Sequence, residues 1–491
     1  MALMTLFDVA RITGGQPVVR SGADPGGTDV PIDSVTIDGR RPAPGALFVA
    51  IQGDTFDGHE FLAQAVRAGA AAALVGRHAV EKGCTSGVPD LPLVVVDDTR
   101  VALGQIAASH RTRLHGPLIA VTASNGKTTI KEMTAAILRS EAALHGSTPF
   151  AVASDPAAVE QAAAASVLAT PGNLNNEIGV PLTLLGINAA HRYAVIEMGM
   201  NHRGEISRLT HIARPDVAVI GNAGVAHIEN LGSREAIAEA KGEIIEGVAP
   251  DGTVVINADD RFAGLWRGLA GTRRVVDFGL EHAAAVSARW HLDPQGADLE
   301  LRTPLGELQA RINVPGLHNV RNALAAAAAT IACGAGLDAV LAGLGNFRPV
   351  AGRLRLLAGL AGSTVIDDSY NANPDSVLAA IEVLAERKGV RVLILGDMGE
   401  LGAGGPQMHA EVGAAARHFG LDLVLTLGEH SAQASEAFGT PGRHFTDVDE
   451  LIAAARRVLD PQVTMLVKGS RFMGMERVVR QLAADPVDGA H

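Results

Sequence analysis

The feature that most restricts this chain is a junction. An apolar run, Leu118–Val121, passes through Thr122-Ala-Ser-Asn-Gly-Lys-Thr-Thr129 and then into a helical pattern. A buried strand that turns through small residues into a helix points backbone N–H groups and the positive end of the helix at an anion. On that geometry Lys127 addresses the β/γ phosphates of a nucleotide and the Thr128 hydroxyl a Mg²⁺ ion. The strict eight-residue spacing is not met, because Val121 stands where its first Gly belongs. A plain strand–turn–helix junction carrying an incidental Gly-Lys-Thr is the alternative.

The rest of the chain suits such a loop. Short apolar runs (Ala194–Ile196, Val217–Ile220 and Val254–Ile256) alternate with amphipathic segments such as Glu205–Ala213 and Arg234–Val248. Buried runs separated by helices imply parallel strands covered on both faces, the doubly wound α/β pattern. The same alternation recurs before residue 97 and after residue 346, so the 491 residues divide into three expected domains, 1–97, 98–346 and 347–491. Residues 286–314 read as a small antiparallel excursion. Residues 141–169 read as a surface helix with a flexible lead-in.

Charge and composition exclude several classes. With 41 Lys+Arg against 53 Asp+Glu the formal charge is −12, and aromatics make up 3%. Such a chain lacks the clustered cations that general nucleic-acid binding needs, and its core must be built from Ala, Val, Leu and Ile. Cys84 and Cys333 leave no room for a disulfide framework or a cysteine-based zinc site. The first residues lack a basic, then apolar, export pattern, and no apolar run is long enough to span a membrane. A cytoplasmic protein is the expectation.

Several further segments, taken in order, make the chain resemble the Mur ligase family, ATP-dependent amide-forming enzymes of peptidoglycan synthesis. They are the loop at Ala123–Thr129; Pro171-Gly-Asn-Leu-Asn-Asn-Glu-Ile-Gly-Val-Pro181; Val195-Ile-Glu-Met-Gly-Met-Asn-His202; Asn222-Ala-Gly-Val-Ala-His227; Glu239-Ala-Lys-Gly-Glu243; Gly316-Leu-His-Asn-Val-Arg-Asn-Ala323; Asp367-Asp-Ser-Tyr-Asn-Ala-Asn-Pro-Asp-Ser376; Gly396-Asp-Met-Gly-Glu-Leu-Gly402; and Val467-Lys-Gly-Ser-Arg471. Tyr370-Asn-Ala-Asn-Pro374 and the Gly396–Gly402 segment resemble the branch that adds D-alanyl-D-alanine to UDP-N-acetylmuramoyl-tripeptide. The resemblance implies a UDP-sugar-binding first domain, a central phosphate-loop parallel-sheet ATPase domain and a C-terminal Rossmann-like domain.

It also implies roles. Lys127, Glu197, His227 and Lys241 would be catalytic, with Thr128, Glu197, His227 and a carbamylated Lys241 holding two Mg²⁺ ions. ATP would lie on Ala123, Ser124, Asn125, Gly126, Lys127, Thr128 and Thr129, with Asn319 and Asn322 toward adenine, Asp367 or Asp368 toward ribose and Arg353 toward a phosphate. Substrate would meet Asp38, Arg40, Asn173, Asn175, Asn176, Tyr370, Asn371, Asn373, Lys468 and Arg471. Each has a plainer alternative: a core histidine, a solvated helix lysine, helix-surface amides, a helix cap at Asn373, a surface arginine, an Asn-rich turn. Two positions depart from the family pattern. Ala123 replaces its first loop Gly, and Gly39 replaces the hydroxyl residue of Asp-Ser/Thr-Arg. The implied activity is amide ligation through an acyl phosphate by a monomer; a ligase adding another amino acid, or a nucleotide-binding protein that does not ligate, are the other readings.

Overall fold

The computed structural model describes residues 2–18, 29–53, 55–88, 90–145, 156–226 and 228–485. Three α/β units follow one another. In the first, Ser34–Thr36, Ala46–Val49, Ala72–Gly76 and Leu93–Val96 run parallel, and Gln16–Val18 closes the far edge antiparallel. In the second, six strands are all parallel, in the order Arg274–Phe278, Thr253–Asn257, Val217–Ile220, Leu118–Thr122, Tyr193–Glu197 and Val167–Ala169. A three-stranded antiparallel sheet, Ser287–Asp293, Gly296–Thr303 and Gly306–Ile312, follows. The third unit orders Arg355–Ala358, Thr364–Asp368, Val463–Lys468, Val390–Gly396, Leu423–Leu427 and Arg443–Phe445, parallel except at its first edge.

The central strands are buried on both faces, which is why they carry almost no polar residue before their C-terminal ends. The chain leaves Leu118–Thr122 on one side and later returns on the other, so a crevice opens beyond the carboxyl ends at this switch. The scarcity of aromatics is met by close helix packing. Ala325–Ala329 are fully buried in the helix Leu317–Ala332, and a side chain at Gly343 would lie 2.4 Å from the Ile137 backbone. The helix Thr99–Arg111 joins the first two units, since Ala102, Leu103 and Ile106 share one core with Leu47, Val94 and Leu118.

Two segments differ from the sequence reading. Val167–Ala169 is an edge strand of the central sheet, paired with Tyr193–Val195, rather than part of a surface helix. Its three residues are too few to show an alternation. The lead-in at 146–155 lies outside the described residues. The helix beginning at Arg234 ends at Gly242 and tightens into a 3₁₀ turn, Glu243–Gly247. There Gly247 sits so close to Thr210 that a side chain would meet its carbonyl at 2.3 Å.

Candidate active site

A cleft of about 950 Å³ lies between the carboxyl ends of the central and C-terminal sheets. The junction read from the sequence forms its floor. Gly126 takes φ +84°, and a Cβ there would lie 2.4 Å from the Asn322 amide oxygen, so glycine is demanded twice over. Ala123 has no such demand. Its φ is not positive, its methyl is buried, and Gly221 makes room for it: a Cβ at 221 would be 2.9 Å from that of Ala123. Ala123 therefore does not line the cleft, and its methyl does not block the turn.

The loop is braced by backbone and amide contacts. Ser124 N–H donates to the Asn222 carbonyl (3.0 Å), and Asn125 exchanges two hydrogen bonds with the Asn222 side chain (3.0 and 2.9 Å). Lys127 Nζ donates to the carbonyls of Ala123 (2.6 Å) and Ser124 (3.3 Å). Burial lowers its pKa; Glu197 opposes the shift and Arg353 adds to it. Thr129 lines the cleft beside it.

Glu197 ends its strand at the register position opposite Val121, which brings its carboxylate to the loop. It accepts from the Thr128 hydroxyl (3.0 Å) and the Asn175 amide (2.7 Å). Thr128 in turn accepts from Arg353 across the domain gap (3.4 Å). The hydroxyl and carboxylate oxygens are hard donors of the kind Mg²⁺ selects. Lys241 is 1% exposed and feels the charges of Lys127 and Asp260; burial pushes its pKa well down. As an amine it does not suit a magnesium site; as a carbamate it would offer oxygen. His227 lies outside the described residues.

Other expected residues distribute unevenly. Asn319 and Asn322 meet at 3.0 Å on the cleft wall, beside His318, whose pKa burial and nearby cations push down to about 4. Of the two aspartates ending Thr364–Asp368, Asp368 faces the cleft. Asp367 points the other way, accepting from Gly352 N–H (2.8 Å) and from Ser369, so its carboxylate is spent on holding the Arg353 loop. Lys468 is a buried cation bonded to Asp368 (2.5 Å) and the Asn371 carbonyl (2.9 Å). Two guanidinium groups approach Tyr370, Arg353 at 4.1 Å and Arg471 at 5.5 Å from its ring centre. Asn173 and Asn371 line the cleft. Asn176 does not; its amide oxygen accepts from Ile178 and Gly179 at the start of a helix.

Asp38 and Arg40 are remote from this centre. They form a two-bond pair, both 2.9 Å, on a shallow depression with Arg41 and Gln64, and Arg40 holds the Asp38 pKa down at about 2. A Cβ at Gly39 would lie 3.2 Å from Phe61 and 3.4 Å from Phe48. In the same unit Asp57, His59 and His78 cluster. Both ring nitrogens of His59 are committed, Nδ1 to Asp57 (2.5 Å) and Nε2 to Gly76 N–H (2.9 Å), so the group ties two segments together.

Comparison with known proteins fits this geometry. Family models match residues 31–111 (Mur ligase family, catalytic domain), 121–330 (Mur ligase middle domain) and 352–471 (Mur ligase, glutamate ligase domain). The UDP-N-acetylmuramoyl-tripeptide–D-alanyl-D-alanine ligase of Escherichia coli is 42% identical over 93% of this chain and 95% of its own. The chain belongs to the Mur ligase family. The corresponding ligase of Haemophilus influenzae is 38% identical over 93% and 95% of the two chains. Among solved structures, MurF from Acinetobacter baumannii superposes with a TM-score of 0.84 at 34% identity, covering 97% of each chain. MurF from Thermotoga maritima in complex with ADP gives 0.77 at 26%, covering 91% and 96%. As a Mur ligase the protein uses ATP to form an amide bond. Asn222, Gly224 and Asp375 lie in quoted segments without a role read for them, and Asp260 lies in none; their contacts are made across the fold, which is where their work becomes visible.

Proposed function

We propose that this chain joins D-alanyl-D-alanine to UDP-N-acetylmuramoyl-tripeptide, with ADP and phosphate as the other products. The observation that carries the proposal is the chain of contacts from Arg353 through Thr128 to Glu197, which brings the phosphate loop and the C-terminal domain to one cleft. The ligases from Escherichia coli and Haemophilus influenzae, named for this reaction and matched along nearly their whole lengths, support it.

In this reading a carboxylate oxygen of the tripeptide attacks the γ-phosphorus, and ADP leaves. The dipeptide amine then attacks the acyl carbon, phosphate departs, and the nitrogen loses a proton. Anions must approach one another, so oriented cations and N–H donors dominate catalysis. Lys127 exchanges its two loop carbonyls for phosphate oxygens, while Gly126 and Thr128 present N–H groups. Arg353 neutralises charge from the C-terminal side. Thr128, Glu197 and, as a carbamate, Lys241 would hold Mg²⁺, which when bound would offset phosphate charge. The Arg471–Tyr370 face receives the dipeptide, and Asp38 and Arg40 meet the uridine nucleotide. Among the described residues no helix is long and apolar enough to cross a membrane.

The test is direct. ADP release should require the UDP-tripeptide and D-alanyl-D-alanine together, and mass spectrometry should find the UDP-pentapeptide. ATP turnover without acceptor, or a phosphorylated end product, would contradict the proposal. Gly126→Ala should weaken ADP binding about tenfold or more, because an L residue at that φ costs about 1–2 kcal/mol before the collision with Asn322. Titration calorimetry reads this, and an unchanged affinity would remove the loop from the nucleotide site.

A further inference from the structure

The helix Pro374–Ala385 of the C-terminal unit begins where it faces the central unit, with a capping box between Asn373 and Ser376, which fixes the direction of the residues around it. Asn373 donates its amide to Asn125 Oδ1 of the phosphate loop (2.7 Å). Two residues on, Asp375 Oδ2 accepts from Val225 N–H (3.0 Å), and its other oxygen from Arg234 (3.4 Å). The segment it grasps is the one that supports the loop from below. Gly224 N–H donates to the Ser124 hydroxyl (2.9 Å), and Asn222 holds both Ser124 and Asn125. Gly224 is as telling as the carboxylate. A Cβ there would stand 2.3 Å from Asp375 Oδ2, although its φ is not in the left-handed region that favours glycine. Glycine at 224 makes room for a neighbour from another domain.

We propose that Asp375 is a positioning residue: it docks the C-terminal domain onto residues 222–225, so that the phosphate loop reaches its working shape only when the two domains meet. Asn373 holds Asn125 directly, and Asp375 holds Val225, whose neighbour Gly224 donates to Ser124, so the two reach successive loop residues. Arg234 opens the helix that carries Lys241, so the same carboxylate also fixes the approach of that helix. Docking of the C-terminal domain thereby favours nucleotide binding, and nucleotide favours docking, as reciprocal coupling requires. The docking is independent of which amide is made; only its effect on turnover rests on the ligase reading.

The experiment uses full-length Gly224→Ala, Asp375→Ala and the double variant, with Asp375→Asn as the conservative control. Each single alanine variant should lower kcat/KM for the dipeptide about 10- to 100-fold, the range for losing a hydrogen bond to a charged group. In the double variant the new methyl meets no carboxylate, so its loss should match a single variant rather than the product of two. Asp375→Asn keeps an acceptor for Val225 N–H and should recover part of the rate. In small-angle scattering with ADP, both single alanine variants should have a larger radius of gyration than the parent, at equal melting temperature. Multiplicative losses in the double variant, or radii equal to the parent's, overturn the proposal. A parent with no dipeptide-dependent turnover would refute the ligase reading instead and leave the scattering result standing.

Discussion

Lys127→Ala should lower dipeptide-dependent ADP release by about 10³-fold, the upper range for removing one preorganised charge-stabilising donor, while the fold stays as stable as the parent's. The ammonium makes two bonds to loop carbonyls and no ion pair shorter than 4 Å among the described residues. Burial and Arg353 both disfavour its charge, and among the described residues Glu197 and Glu400 favour it. A cation held under those conditions adds little to folding; it is poised for an anion that arrives later. Deleting it removes a desolvation penalty together with two hydrogen bonds, so thermal melting should barely move. Lys127→Arg should not restore the rate, because a planar fork cannot take the place of a compact ammonium whose donors reach the carbonyls of both Ala123 and Ser124. The measurement is paired: initial rates for turnover, calorimetry for unfolding. A variant within tenfold of the parent rate would mean that Lys127 does not touch the reacting phosphate, and the loop would lose its catalytic role.

Much of this was legible from residue order, for a physical reason. Parallel strands buried on both faces leave continuous apolar runs, so the sheets declare themselves, and the first polar residues after each run fall at the carboxyl ends where ligands bind. That rule puts Glu197 and the loop at 123–129 at carboxyl ends, while the roles expected of them came from the family resemblance. The rule stops at faces and partners. Asp367 and Asp368 are adjacent, and a strand turns one toward the cleft and the other toward Gly352; only register and packing decide which. The methyl of Ala123 looks obstructive in a list of residues, yet Gly221, almost a hundred positions later, absorbs it. Asp375 stands inside the Asp367–Ser376 segment, but its role is not readable there, since its partners, the Val225 N–H, Arg234 and the space left by Gly224, are brought near by folding. Val167–Ala169 is an edge strand because Tyr193–Val195 lies beside it, not because three residues specify one.

Lys241 sets up the second large effect. Its side chain is buried, Lys127 repels its charge, and Asp260 is itself occupied by the N–H groups of Ala223 and Phe262. Its folded pKa therefore lies well below the ordinary 10.5. Between those two values the unfolded chain binds a proton that the folded chain does not, so stability falls as pH drops through this window and recovers as pH rises toward 10.5. Lys241→Met removes the liability: the variant should melt higher than the parent near pH 7, and the gap should close as pH approaches 10.5. Activity should move the opposite way, down about 10²- to 10³-fold, if the lysine supplies a charged oxygen ligand beside the phosphates. A neutral amine is the form that adds CO₂, giving a carbamate and releasing one proton, so burial prepares the residue for that change, and a nearby divalent cation would stabilise the anion formed. Stripping CO₂ should accordingly slow the parent, and bicarbonate should restore it, with neither affecting the methionine variant. A parent indifferent to CO₂, alongside a Lys241→Met variant of near-normal rate, would leave Lys241 as a buried amine that only weakens the fold.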